Sequence, residues 1–273
     1  MNNNPIGIFD SGLGGLTVVP HLLRALPEER IVYFGDTART PYGSKSVETI
    51  KDFSAEIVEF LKSQACKLIV IACNTVSSTA LEDLRERFPD LPFVGIVDPM
   101  VEELAEDYKA GNLDGKKLAV IGTKATINSG IYANLIAQNL PQLELVQQAC
   151  PLFVPIVEEG VMQTAILDEA IRYYLDDLIL NQGVDALILG CTHYHLLEDK
   201  IHEFYPNLKI YNPAKAQAKA TAELLEKHPE LKAANNDSAI PNSFYASDLS
   251  PGFLDMIEQI VGADPFRIDF KEL

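Results

Sequence analysis

Short, nearly continuous apolar runs punctuate the chain at residues 6–9, 31–34, 68–72, 93–97, 118–121, 143–146, 186–189 and 208–211. Strands that are apolar at successive positions, rather than at every second one, belong to parallel sheets covered on both faces. Between these runs the apolar positions recur every three or four residues. Val47, Ile50, Phe53, Ile57 and Leu61 form one such stripe, and Leu167, Ile171, Tyr174 and Leu178 form another, which predicts amphipathic helices. Asp98-Pro99 and Ser250-Pro251 each place a capping side chain before a proline at the first helical position. The second of these opens a helix over 251–261, with Gly262 placed to stop it. Residues 243–246 read as a short strand, and the polar stretch 231–243 reads as a loop. Strands alternating with helices across short connections predict an α/β protein with mainly parallel sheets.

The strands fall into two matching sets. The first runs IGIFDSG, IVYFGD, LIVIACNT, FVGIVDP; the second runs KLAVIGT, LELVQQAC, ALILGCTH, LKIYNP. Two pseudo-symmetric lobes follow, each a mainly parallel sheet flanked by helices. Residues 1–98 together with 214–273 are assigned to the first lobe, and 99–213 to the second. Ligands of open α/β sheets bind outside the carboxyl ends of the strands, so the expected active site is the cleft between the lobes.

Charge narrows the function classes. The 22 Lys and Arg residues face 39 Asp and Glu, a formal net charge of −17 over 273 residues. That sign excludes a protein that coats nucleic acid or an anionic membrane. No apolar run has the length of a bilayer span, and Met1-Asn2-Asn3-Asn4-Pro5 has neither the basic patch nor the apolar core of a signal peptide. A cytoplasmic protein is expected. Four cysteines without a Cys-x-x-Cys pair are no disulfide framework, and Cys66 and Cys150 read as small buried hydrophobes.

Three features immediately after strands carry candidate chemistry. Asp10-Ser11-Gly12-Leu13-Gly14-Gly15 is a Gly-rich turn whose backbone N–H groups suit an anion, though it matches neither a dinucleotide fingerprint nor a P-loop. Ala72-Cys73-Asn74-Thr75 and Gly190-Cys191-Thr192-His193 each place a cysteine at the carboxyl end of a buried strand. Two cysteines at matching positions of two matching lobes are poorly explained as packing. A thiolate facing a thiol across a cleft can remove a proton from one face of a carbon and deliver one to the other. The product is the opposite stereoisomer, and no cofactor or metal is required. Lys45 has no accompanying phosphate-binding set that would suggest pyridoxal phosphate.

Four motifs, in order and over nearly the whole chain, carry a resemblance: Asp10-Ser11-Gly12-x-Gly14-Gly15, Gly35-Asp36 followed by Pro41-Tyr42-Gly43, Ala72-Cys73-Asn74-Thr75, and Gly190-Cys191-Thr192-His193-Tyr194. With them the chain resembles the glutamate racemases, the cofactor-independent two-cysteine type of the aspartate/glutamate racemase superfamily. The resemblance implies interconversion of L- and D-glutamate, with Cys73 acting on the D and Cys191 on the L enantiomer. It makes Asp10 the assistant of Cys73 and His193 that of Cys191, with an acid from Val157-Glu158-Glu159, Glu158 being chosen, behind His193. Ser11, Pro41, Tyr42, Gly43, Ser44, Asn74, Thr75, Thr123 and Thr192 would hold substrate, together with Asp10 and His193. It further implies D-glutamate supply for peptidoglycan, a homodimer, and neither cofactor nor metal.

One departure stands out. His195 occupies a position where the family usually has proline, and it reads as a helix-start or surface histidine. The chain also lacks the N-terminal extension of relatives that depend on a cell-wall precursor, so such dependence is not expected. None of the matched motifs offers a Lys or Arg for the substrate's carboxylates. Backbone N–H groups and the hydroxyls of Ser11, Tyr42, Thr75, Thr123 and Thr192 are the expected donors. Aspartate in place of glutamate is the nearest competing substrate, since pocket depth is not written in the motifs. A binding module of two lobes without turnover is the competing class.

Overall fold

The structure is a computed structural model that describes residues 2–234, 241–261 and 266–273. Its strands in chain order are β1 (Ile6–Asp10), β2 (Ile31–Gly35), β3 (Leu68–Ile71), β4 (Phe93–Val94), β5 (Lys117–Gly122), β6 (Glu144–Ala149), β7 (Ala186–Gly190), β8 (Lys209–Tyr211), β9 (Asn242–Ala246) and β10 (Phe266–Phe270). They form two sheets, one of six strands in the order β10-β9-β2-β1-β3-β4 and one of four in the order β6-β5-β7-β8. Every pairing is parallel. The α/β class with two parallel sheets is therefore the architecture of the chain.

The continuous apolar runs have a direct cause. Along the first sheet, Phe9, Val32, Phe34, Ile69 and Ile71 point to one face and pack with Ile50, Ile57, Val58 and Leu61 of the helix Val47–Ser63. Their neighbours Ile8, Ile31, Tyr33, Leu68 and Val70 point to the opposite face and join a core that continues into the second sheet through Ala119, Val120, Leu187 and Ile188. Both faces exclude water, so both sets of alternating positions must be apolar. Ser46 caps the helix Val47–Ser63 by accepting the Thr49 N–H at 3.2 Å.

Some boundaries differ from the pattern. The helix Val97–Lys109 begins at Val97, so β4 stops at Val94 and Asp98 lies inside the first turn rather than capping it. β6 is an edge strand that runs on through Gln147 and Gln148 to Ala149, because edge residues need cover on fewer sides. In the tail, Ser250 accepts the Phe253 N–H at 3.3 Å, and Pro251 opens the helix Pro251–Val261. Gly262 and part of the 231–243 stretch lie outside the described residues. β9 pairs with β2, and β10, which no apolar run announced, adds the outermost strand.

All strands of a parallel sheet end on one edge, so the residues that follow β1, β3, β5 and β7 converge. The 3-10 turn Gly14–Val18 packs on the turn Thr192–Leu197, and the short helix Asn74–Thr79 packs on Lys124–Ser129. These two contacts join the carboxyl edges of the sheets around the candidate site.

Candidate active site

Cys73 follows β3 and precedes the helix Asn74–Thr79; Cys191 follows β7 and precedes the turn Thr192–Leu197. Both line one cavity, and both are nearly buried, at 4% and 6% exposure. Ser11, Pro41, Tyr42 and Gly43 line the same cavity from the first sheet's loops, with Asn74 and Thr75. Thr123, Val154, Thr192 and His193 close it from the second sheet's side. Its free volume is ≈ 10 Å³, about the room for one water, so a dicarboxylate enters only if the walls part.

Each sulfur has its own proton partners. The Cys73 thiol donates to Ser11 Oγ at 3.5 Å. Burial pushes this thiol up to about 12, the charge of Asp10 adds to the rise, and the Ser11 contact partly opposes it. Cys73 therefore rests as a thiol. On the other side, Cys191 Sγ lies 3.9 Å from His193 Nδ1, and His193 Nε2 lies 2.5 Å from Glu158 Oε1. Burial alone would depress the His193 imidazole, but its contacts with Cys191 and Glu158 outweigh that and push it up to about 10. The ring is thus an imidazolium, and its Nδ1 faces the Cys191 sulfur. The neighbouring Glu159 is exposed at the end of the helix Phe153–Glu158, so the acid facing the ring is Glu158.

Asp10 sits behind the cavity wall, fully buried. Its carboxylate accepts the Gly12 N–H at 3.0 Å and the Thr192 hydroxyl at 3.2 Å. The Gly-rich turn thus does hold an anion, but that anion is the side chain of Asp10. Burial raises the Asp10 carboxyl above the usual range, opposed by His193 and by the Gly15 and Gly12 N–H groups. Only glycine fits at two nearby points. A methyl group on Gly14 would meet His193 Nδ1 and Thr192 Oγ1 at 2.7 Å, and one on Gly43 would meet Thr123 Cβ at 2.4 Å.

The donors differ in part from the sequence expectation. The Tyr42 hydroxyl is committed to Asp36 Oδ2, to which it donates, so it is not free for a carboxylate. Ser44 is exposed, its hydroxyl donates to the Pro41 carbonyl at 3.5 Å, and it does not line the cavity. Thr75 and Thr123 share a hydroxyl cluster with Thr126, at 3.0 Å from each other. Asn74, expected among the substrate-holding residues, offers an amide donor in addition to the expected hydroxyls and backbone N–H groups. Its Oδ1 accepts the Tyr132 hydroxyl at 2.8 Å, which turns Nδ2 away from that partner, and Nδ2 is buried without one. Tyr132 and Val154 carried no sequence signal, since neither lies directly after a strand. No Lys or Arg lines the cavity among the described residues. Among those residues, too, no group of three His, Cys, Asp or Glu side chains is arranged to hold a metal.

His195 is not at the surface. It is 8% exposed within the Thr192–Leu197 turn, its Nδ1 lies 2.9 Å from Thr17 Oγ1, and burial pushes it down to about 3. Thr17 gives its own proton to the Gly14 carbonyl at 2.8 Å, so the ring donates to Thr17. A neutral histidine here ties the two touching turns together. Cys66 and Cys150 are buried, with 5% and 0% exposure.

The sequence profile of the Asp/Glu/hydantoin racemase family matches residues 6–221. The chain belongs to this family. Among relatives, it is 43% identical to the glutamate racemase of Persephonella marina over 95% of its own length and 94% of that protein's. It is 34% identical to the glutamate racemase of Francisella tularensis, whose structure was solved in complex with D-glutamate; the two superpose with a TM-score of 0.86, covering 100% and 98% of the chains. The glutamate racemase isoform RacE1 of Bacillus anthracis superposes with a TM-score of 0.88 at 33% identity, over 100% and 99%. Membership of the Asp/Glu/hydantoin racemase family makes the chain a racemase, an isomerase. No helix among the described residues is long and apolar enough to cross a membrane.

Proposed function

We propose that this protein interconverts L- and D-glutamate by a two-base proton transfer between Cys73 and Cys191. The observation that carries the reading is that both sulfurs line one cavity, each with its own proton partners, from the carboxyl edges of two different sheets. The similarity to glutamate racemases over nearly the whole chain supports glutamate as the substrate.

In the L-to-D direction, Cys191 is the base. The His193 ring, held by Glu158, stands beside that sulfur as its proton partner, and the Cα proton of L-glutamate moves to the sulfur. The Cys73 thiol then delivers its proton to the opposite face of Cα. This leaves the proton taken from Cα on Cys191 and a proton missing from Cys73, and the site resets by proton exchange through Ser11 and Asp10 on one side and His193 on the other. The return direction exchanges these roles. Negative charge develops on the α-carboxylate as the proton leaves, and the Asn74 Nδ2 donor and the threonine hydroxyls oppose that charge in a site with little water. A permanent Lys or Arg beside either sulfur would trap a thiolate, which a residue alternating between acid and base cannot afford.

The same reading makes the enzyme cytoplasmic, independent of cofactor and metal, homodimeric, and a supplier of D-glutamate for peptidoglycan. It divides the chain into a lobe of residues 1–98 with 214–273 and a lobe of 99–213. The test is exchange of the Cα hydrogen of glutamate in heavy water, followed by polarimetry. Wild-type protein dialysed against chelator is expected to exchange and racemise glutamate. No exchange, or exchange only with aspartate in a substrate panel, would sink the proposal.

A further inference from the structure

The Gly35-Asp36 motif has no part in the proton chemistry, yet Asp36 is fully buried at the carboxyl end of β2, beside Asp10. Its backbone N–H donates to the Asp10 carbonyl at 3.0 Å. Its carboxylate gathers three side-chain donors. Oδ2 accepts the Tyr42 hydroxyl and Arg39 Nε, the latter at 2.7 Å, and Oδ1 accepts the Ser247 hydroxyl at 2.7 Å.

These contacts determine where the 3-10 turn Tyr42–Ser44 sits. That turn supplies Tyr42 and Gly43 to the cavity, and Gly43 packs directly on Thr123 across the interface between the sheets. The Tyr42 ring also packs on the Phe53 ring, 5.8 Å away centroid to centroid, within a buried apolar cluster, contacts that set no direction for the hydroxyl. The charged hydrogen bond from the hydroxyl supplies the direction. Ser247, just past β9, in turn accepts the Ala38 N–H at 3.0 Å, so the same carboxylate ties the turn's approach to the C-terminal segment.

We infer that Asp36 is a positioning residue for substrate binding, acting through Tyr42 to hold the Pro41-Tyr42-Gly43 turn against the glutamate site. The inference rests on the proposed glutamate reaction and adds the means by which its binding turn is held. Asp36 touches neither sulfur, so its removal acts on binding and leaves the proton-transfer groups as they were.

The experiment compares wild type with Asp36→Asn, Tyr42→Phe and the double variant. Initial rates of glutamate racemisation are measured across pH, with Tm and the fraction of reactive active-site thiol determined for each. Asp36→Asn and Tyr42→Phe are each expected to raise KM for both enantiomers by roughly tenfold, with the shape of the kcat–pH profile preserved. The double variant is expected to be no worse than the worse single one, because both remove the same link. A purely structural Asp36 would lower Tm and the active fraction while KM stayed at the wild-type value, and that result overturns the inference. Fully additive KM effects in the double variant also overturn it. If Asp36→Asn does not fold, Tyr42→Phe decides alone, with an unchanged KM overturning the inference. A wild-type protein that fails to racemise glutamate would fail the underlying reaction instead, a different and separately visible outcome.

Discussion

Glu158 Oε1 and His193 Nε2 are 2.5 Å apart, and the other nitrogen of the same ring faces the Cys191 sulfur at 3.9 Å. A carboxylate, an imidazole and a sulfur thus stand in line, and the two outer groups raise the proton affinity of the ring between them. Glu158→Gln is expected to lower the His193 pKa from its raised position near 10, read by NMR titration of the imidazole. Because the folded-state value is raised, the stability it contributes is fully present below the ordinary histidine range of ~6.5 and is lost as pH rises through about 10. Denaturant unfolding between these limits should therefore show stability falling with pH in wild type and a flatter dependence in Glu158→Gln. Identical slopes would detach His193 from Glu158.

Cys73→Ala and Cys191→Ala are each expected to reduce glutamate racemisation by at least ~10³-fold, since each deletes one of the two proton-transfer groups. In the proposed reaction the remaining cysteine still faces one side of Cα. Cys73→Ala should retain exchange of the α-hydrogen in L-glutamate, and Cys191→Ala should retain it in D-glutamate, without inversion. Mass spectrometry in heavy water reads this directly, and near-normal racemisation by either variant would remove the two-base mechanism.

Asp10→Ala and His193→Ala should divide by direction. The enantiomers have equal free energy in water, so kcat/KM must stay equal in the two directions for any variant. The division therefore shows in kcat: Asp10→Ala lowers it most from D to L and His193→Ala most from L to D, with KM falling in step. Equal losses of kcat in both directions would abolish the separate roles of the two partners.

Asn74→Asp exchanges a buried donor for an acceptor where a carboxylate is to be bound, and should raise KM for glutamate by roughly 100-fold or more. Tyr132→Phe leaves the Asn74 amide in place but releases its orientation, so a smaller rise is expected. A larger effect from Tyr132→Phe than from Asn74→Asp would invert this order and refute it.

Gly43→Ala would place a methyl group 2.4 Å from Thr123 Cβ, on the contact between the two sheets' loops. Overpacking of this kind costs about 1–3 kcal/mol, visible as a lower Tm. The double variant Gly43→Ala with Thr123→Ser, which removes the Thr123 methyl, should recover part of that loss. No recovery would show that the strain lies elsewhere.

Much of this architecture can be read in the chain because parallel strands buried on both faces write themselves as apolar runs and end on one shared edge. Cys73, Cys191, Thr123 and Asp10 each follow such a run at once or within two residues, which is why they stand out. What the pattern hides depends on contacts between distant segments. β10, with half-exposed residues and a single partner strand, has no apolar signature. The commitment of the Tyr42 hydroxyl to Asp36 and the Tyr132–Asn74 bond arise only when separate loops meet. His195, polar and close after Cys191, reads as a helix-start or surface residue until the Gly14–Val18 turn is seen to cover it.

Each sulfur travels with its own proton partners on its own sheet: Cys73 with Ser11 and Asp10, Cys191 with His193 and Glu158. The two sets are nonetheless joined, because the Asp10 carboxylate also accepts the Thr192 hydroxyl and lies under the charge of His193. Sliding one sheet past the other would therefore change the gap between the sulfurs and the surroundings of Asp10 together, so cavity size and the proton affinity of Cys73 are coupled variables in this scaffold.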